Sequence, residues 1–231
     1  VVQDVADAGA KVSFCDLNVE KGKAYAAELI AAGHQAFFIP GNVGVVAQMQ
    51  EVHTAITKEF GEVNGLVNNA GRNAYYDPVE MTEAEWDDFM NVDFKSIWVT
   101  AKLCLPAMRK AKKGAIVNIS TVSAFRGGNK QVHYISSKGG LNGLTTSMAH
   151  EVKGFGIRVN AILCGGVATD ININQRAEQE ARDGKPYVDP PGVRGRGIPT
   201  DLGNAALFLL SDASEWVTGS LVAVDGGALI S

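Results

Sequence analysis

"VVQDVADAGAKVSFCDLN" occupies residues 1–18, and the order of its parts decides how the rest of the chain is read. The first residues read as the end of a helix. Gly9 supplies a turn, and "KVSFCD" (11–16) reads as a strand that closes on an acidic residue, Asp16. "NVEKG" then opens a new helical stretch. Helix, turn, strand, acid and helix in that order predict one repeat of an alternating α/β chain.

The alternation continues to the end. Strands are predicted at "QAFFIP" (35–40), "NGLVNNAG" (64–71), "GAIVNIS" (114–120), "IRVNAIL" (157–163) and "LVAVDGG" (221–227). Helical stretches lie at about 18–32, 44–60, 82–111, 131–153 and 200–211. Most strands are near-continuous runs of Val, Ile and Phe, the pattern of strands covered on both faces in a parallel sheet. Right-handed crossovers then give a doubly wound α/β sheet, one domain over 1–231. The polar, Gly/Pro-rich stretch 170–199 is expected to be a substrate lid carrying one short helix.

Composition narrows the function. With 231 residues, 46% of them apolar and 20% charged, the chain is long enough for one well-buried core. A net charge of −4 without a basic block argues against nucleic acid as a partner. No apolar run approaches the ~18 residues of a membrane span, and no signal peptide is evident. Three scattered cysteines, Cys15, Cys104 and Cys164, indicate a reducing, cytoplasmic setting. The four histidines lack metal-ligand spacing, so no metal site is expected.

Asp16 is the first candidate. A carboxylate at the tip of this strand of a dinucleotide-binding unit can accept from both hydroxyls of an adenosine ribose and repel a 2′-phosphate. No arginine follows in "DLNVEKG", although Lys21 is near, so the reading is NAD rather than NADP. The alternative use of Asp16 is to cap the helix beginning near residue 19, which Asn18 could do equally well. The phosphate-binding glycines of such a unit stand roughly 20 residues before the acid. The sequence is therefore expected to lack a first strand and a glycine-rich loop, carried by about 15–25 further residues ahead of Val1.

The second candidate is "HYISSK", which sets Tyr134 and Lys138 four residues apart on a predicted helix and so on one face. Tyrosine, with a pKa near 10, is a poor proton carrier at neutral pH. Lowering it by ~3 units takes about 4 kcal/mol. A lysine cation ~4 Å away supplies energy of that order at an effective dielectric near 20. By itself the pair reads more readily as a surface Tyr–Lys contact, since chance matches to this spacing are common in a chain of this length.

The surrounding motifs decide between these. "NNAG" (68–71), "NIST" (118–121), "YISSK" (134–138), "IRVNAI" (157–162) and "VDGG" (224–227) occur in the order and spacing of the short-chain dehydrogenase/reductases, and the chain resembles that family nearly throughout. The resemblance implies a Rossmann-like sheet, a small alcohol or ketone substrate, and a homotetramer or homodimer assembled through the long helices near 82–111 and 131–153. It implies Tyr134 as general acid/base and Lys138 as the residue that lowers the tyrosine pKa and holds the nicotinamide ribose. The substrate-orienting hydroxyl falls to Thr121, where the family has serine, with Ser120 and Ser123 as neighbours. A fourth catalytic position falls on Asp93, where the family has asparagine acting largely through its backbone carbonyl; Asn91 is two positions off.

Cofactor contacts are implied at Asn42 and Val43, at Asn69, Ala70 and Gly71, and at Gly165, Val167 and Thr169. Asn42 and Asn64 replace acids, and Cys164 replaces a proline in "CGGVAT". Cys164 is read as a small apolar filler rather than an oxidisable thiol. The rival to an NAD-dependent dehydrogenase is a non-catalytic protein of the same fold, silenced by truncation or by its changes at 93, 121 and 164.

Overall fold

A computed structural model of the chain describes residues 1–169, 180, 184–186, 193 and 195–230. Helix α1 (Val2–Asp7) ends at Gly9, whose φ of 87° turns the chain into strand β1 (Val12–Asp16). Helix α2 (Val19–Ala31), β2 (Ala36–Pro40), α3 (Val46–Phe60) and β3 (Gly65–Asn68) follow. Helix α4 (Glu83–Met90) passes through one π turn (Asn91–Lys95) into α5 (Ser96–Ala111). After these come β4 (Gly114–Thr121), α6 (Val132–Val152), β5 (Ile157–Cys164), α7 (Pro199–Leu210) and β6 (Leu221–Val224).

Local chemistry fixes the helix starts. Asn18, not Asp16, caps α2: its side chain accepts from the Lys21 N–H at 3.0 Å. Thr82 and Glu85 form a reciprocal capping box at the start of α4. Gly22 leaves α2 free to lie against the Phe38 ring of β2, where any Cβ would collide with it.

All strand pairs are parallel, as their continuous apolar runs predict. Four strands form a sheet in the order β3-β4-β5-β6. Every residue of β4 is buried, and its side chains alternate between two helical layers. Ile116 packs with Ala101, Met108, Ala149 and Val152 of α5 and α6. Val117 and Ile119 pack with Ala206 and Leu209 of α7 on the other face. Helices on both faces complete the doubly wound arrangement.

β1 and β2 form a separate pair. Between β1 and β3 lies an open cleft of about 1880 Å³, lined by Val12, Phe14, Leu66 and Val67 of the strands and by Met49 and Leu103 of α3 and α5. Among the described residues β1 and β3 are not paired with each other. The predicted strand 64–71 is shorter than expected, since pairing with β4 stops at Asn68↔Asn118. Most of the stretch 170–199, expected as a lid, lies outside the described residues. Among the described residues no helix is long and apolar enough to cross a membrane, and no cluster of side chains could hold a metal ion.

Candidate active site

β4 and α6 bring the proton-transfer candidates together at the carboxyl edge of the sheet. Tyr134 and Lys138 stand one turn apart on α6, with Tyr134 half buried and Lys138 buried. Thr121 ends β4, and its hydroxyl lies near enough to the Tyr134 phenol to favour its ionised form. The same hydroxyl donates to the Cys164 carbonyl at 3.4 Å. Ser120 points into α6 and donates to Asn142 Oδ1 at 2.7 Å, while Ser123 lies in the short 3-10 turn that follows β4. Of the three hydroxyls, Thr121 is the one beside Tyr134.

The electrostatics of the centre are those of a dry site. Burial pushes the Tyr134 phenol well above its ordinary value, and Cys164 adds to the rise. The Thr121 hydroxyl opposes it, while Asp93 and Tyr75 raise it further. Burial lowers Lys138 against the opposing pull of Asp93 and Cys164. A lowering of Tyr134 by Lys138, expected from sequence, is not among the influences on the phenol here. Burial likewise raises the Cys164 thiol, whose Sγ–H donates to the Ser120 carbonyl at 2.9 Å. That is the chemistry of a neutral, hydrogen-bonded filler.

Asp93 departs from its expected role. The π turn places its side chain at the centre, fully buried. The Arg72 N–H donates to both carboxylate oxygens, at 2.9 and 3.1 Å, and Lys138 Nζ lies 3.8 Å from Oδ1. The carboxylate, and not only the main chain, is engaged. Asn91 is turned to Lys95 Nζ at 3.3 Å. Gly71 is required for a related reason: a Cβ there would stand 2.8 Å from Asp93 Oδ1 and 3.4 Å from Lys138 Nζ.

The remaining positions spread along the carboxyl edge. Asp16 is exposed, with one carboxylate oxygen accepting from the Asn18 N–H at 2.7 Å. Asp16, Val43, Asn69 and Ala70 all line the cleft, which does not reach Tyr134 or Lys138. Asn42 spends its side-chain carbonyl on the Gly44 N–H at 2.9 Å, an internal turn. Gly165 donates to the Val224 carbonyl at 3.2 Å and is packed so closely on Asp225 that a Cβ would not fit. Val167 is buried and bridges to Gly197, and Thr169 lies half buried beyond it. Asn64, read as a neutral replacement for an acid, accepts the Ala115 N–H through its carbonyl at 3.0 Å.

Two features were not singled out from sequence. Arg72, directly after "NNAG", reaches Asp88 at 2.7 Å and lies over the Phe89 ring. A cation adjoining the strand end was the available signal. Beneath the site, a chain of buried hydrogen bonds runs from Thr100 to Asn68 (2.7 Å), from Asn68 to Asn118 (2.8 Å) and from Asn118 to Thr145 (2.9 Å). It locks β3, β4, α5 and α6 in one register. Only the strand pairing reveals that these four residues meet.

The fold is a doubly wound α/β sheet that gathers Thr121, Tyr134 and Lys138 at its carboxyl edge, and its relatives are oxidoreductases. A family profile described as Enoyl-(Acyl carrier protein) reductase matches residues 1–228. Over 183 residues the chain is 35% identical to 3-oxoacyl-(acyl-carrier-protein) reductase FabG of Thermotoga maritima, covering 79% of this chain and 73% of that protein. Levodione reductase superposes with a TM-score of 0.90 at 29% identity, covering 100% of this chain and 92% of that one. A gluconate 5-dehydrogenase from Burkholderia cenocepacia J2315, in complex with NADP and tartrate, superposes with a TM-score of 0.87 at 26% identity, covering 100% and 89%. The chain belongs to the short-chain dehydrogenase/reductase family.

Proposed function

We propose that the protein interconverts a secondary alcohol and its ketone, with Tyr134 as the general acid/base. The observation that carries this reading is the convergence of the Thr121 hydroxyl and the Tyr134 phenol at the end of β4, with Lys138 one turn further along α6. Thr121 would orient the substrate oxygen. Tyr134 would pass the proton to or from that oxygen, and Lys138 would hold the nicotinamide ribose beside it. A bound nicotinamide supplies or accepts the hydride. Relatives whose names denote oxoacyl reduction and gluconate dehydrogenation support carbonyl- and hydroxyl-bearing substrates as the class. Turnover of a panel of oxoacyl esters, sugar acids and cyclic diketones, followed by the absorbance of reduced nicotinamide, tests the assignment. No oxidation or reduction across that panel with either NAD(H) or NADP(H) would defeat it.

The residues present fit a dinucleotide at its two ends: an exposed acid at the tip of β1, and the buried Lys138 beside Tyr134. No glycine-rich turn for a pyrophosphate occurs beside β1 among the described residues. We assign NAD as the preferred form, because the Asp16 carboxylate leads the helix capped by Asn18 and carries charge where a 2′-phosphate would need space. The NADP in the gluconate 5-dehydrogenase shows that this family fold also accommodates the phosphorylated form. Asp16→Ala is expected to weaken NAD binding and narrow its advantage over NADP in calorimetric titrations. A wild type that binds NADP more tightly than NAD would overturn the assignment.

We also assign a homotetramer or homodimer built on α5 and α6. Trp98 on α5 and Val132 on α6 are 46% and 49% exposed, large apolar groups suited to a covered face. Light scattering is expected to show at least a dimer; a strict monomer would rule this out. The three unpaired cysteines support the reducing cytoplasm as its setting.

A further inference from the structure

Residues 72–76, the strip that follows "NNAG", are tied to the site along their length. The Arg72 N–H donates to Asp93. Asn73 Oδ1 accepts from Gln131 Nε2 at 3.0 Å, and the Tyr76 N–H donates to the Lys130 carbonyl at 2.9 Å. Lys130 presents that carbonyl from a φ of 57°, a left-handed conformation uncommon for a residue with a side chain. Between these ties stands His133, in the first turn of α6 and next to Tyr134. Its Nε2 lies 3.0 Å from the Ala74 carbonyl. A carbonyl only accepts, so Nε2 carries the proton, and in the neutral ring Nδ1 is left as a lone pair. Nδ1 is buried and has no partner among the described residues. The ring is 1% exposed and is met edge-on by Tyr76 at 5.1 Å and Phe89 at 4.4 Å between centroids. Phe89 also meets the Tyr134 ring edge-on, at 6.5 Å.

We propose that His133 is a positioning residue: its neutral ring pins the Ala74 carbonyl to the first turn of α6 and so fixes the strip 72–76 as one wall of the Tyr134 site. The pin depends on the protonation state of the ring. A second proton would sit on Nδ1, where the fold offers it no acceptor, and would bring a charge into a dry place. Burial and the Arg72 cation oppose that charge, against the pull of the Ala74 carbonyl. Around the ring stand Arg72 and Tyr76 of the strip, Glu83 of α4 and Tyr134 of α6, with the Lys130–Asp77 pair (4.0 Å) beside the Tyr76 tie. The folded ring resists its second proton, so the pin is whole at neutral pH and weakens as pH falls below the ordinary histidine value of about 6.5. That the wall serves a substrate rests on the reading of Tyr134 as the proton-transfer group. The pin itself does not.

The reporter is exchange of the Tyr76 amide hydrogen, followed by NMR in the full chain and corrected for its intrinsic rate. His133→Phe keeps a ring between Tyr76 and Phe89 but has no donor for Ala74. Exchange at Tyr76 is expected to rise about tenfold at neutral pH, while amides of β4 and β5 stay as protected as before. His133→Gln has a side-chain N–H that can donate to the same carbonyl and no charge to gain. It should restore the protection and keep it at about pH 5, where the wild type exchanges faster. Equal loosening of the whole sheet, or none at Tyr76, overturns the pin. Should His133→Phe fail to fold, nitrogen NMR of the wild-type ring decides: a proton on Nε2 alone at neutral pH is expected, and one on Nδ1 overturns the proposal. Kinetics with the substrate found in the panel tests the wall. His133→Phe should raise KM about tenfold and change kcat less than about threefold. An unchanged KM alongside a loosened strip overturns the positioning role. A pinned strip in a protein without turnover supports the pin and counts against the dehydrogenase.

Discussion

Tyr134→Phe is expected to lower turnover by about 10²–10⁴-fold, the usual worth of a general acid/base. The substitution keeps the ring, which packs edge-on to Phe89 at 6.5 Å between centroids, so stability should change little. It removes only the hydroxyl that meets Thr121. Turnover within about tenfold of wild type would exclude the proton-transfer role. The pH dependence should carry the same signature. Burial raises the phenol, so oxidation, which uses the phenolate, should speed up as pH increases, while reduction should fall off only on the alkaline side. Thr121→Ser should retain activity and Thr121→Val should lose it, because the hydroxyl is what reaches Tyr134.

The second large effect is on stability. Arg158 leaves β5 sideways and donates to four acceptors at the end of α7. They are the Leu209, Leu210 and Ser211 carbonyls at 2.6, 3.3 and 3.0 Å and the Ser214 hydroxyl at 2.7 Å. The last carbonyls of a helix have no partner within it, and a cation there also meets the negative end of the helix dipole. Arg158→Met takes this donor from the Leu209 and Leu210 carbonyls in a half-buried place, while the Ser211 carbonyl and Ser214 hydroxyl keep each other. The expected loss is about 3 kcal/mol, which for a domain of this size lowers Tm by about 6–12 °C. Arg158→Lys should recover only part, since one ammonium cannot span the fork of acceptors. A melting temperature within 2 °C of wild type, roughly the shift expected for less than 1 kcal/mol, would show that water replaces the guanidinium without cost.

Arg158 also shows what can be read from a sequence and what cannot. "IRVNAI" was legible as a strand and as one of the family's motifs, yet its polar members gave no hint of their partners. Those partners lie more than fifty positions away: Arg158 holds the end of α7, and Asn160 ties the Val217 carbonyl and the Ser220 N–H to β5. The strands and helices themselves were legible, because burial on two faces writes continuous apolar runs and helices write a 3.6-residue period. The Tyr134–Lys138 pair was legible for the same reason, since four residues on a helix share a face. The engagement of the Asp93 carboxylate was not. It depends on one extra residue in a helical turn, a π turn at Asn91–Lys95 that shifts the helix face without leaving a mark in the apolar pattern. Asp16 was ambiguous between cap and ligand contact; Asn18 takes the cap, which leaves the ligand contact as the proposed use.

The division of the strands into β1–β2 and β3–β6 has a thermodynamic side. Among the described residues no strand pairing joins these two sets. The smaller set, with its own cluster of Ala6, Val12, Leu29 and Ala36, meets the larger through helix packing, α1 against α7 and α3 against α5. Asp16 lies on the first unit, and Tyr134 and Lys138 on the second. A ligand that needs both ends at once therefore binds only when both units are closed, and its binding free energy is added to their junction by linkage. Affinity for the cofactor and cohesion of the two lobes would then be one quantity, so that loosening the junction anywhere along its length weakens binding without touching a contact residue.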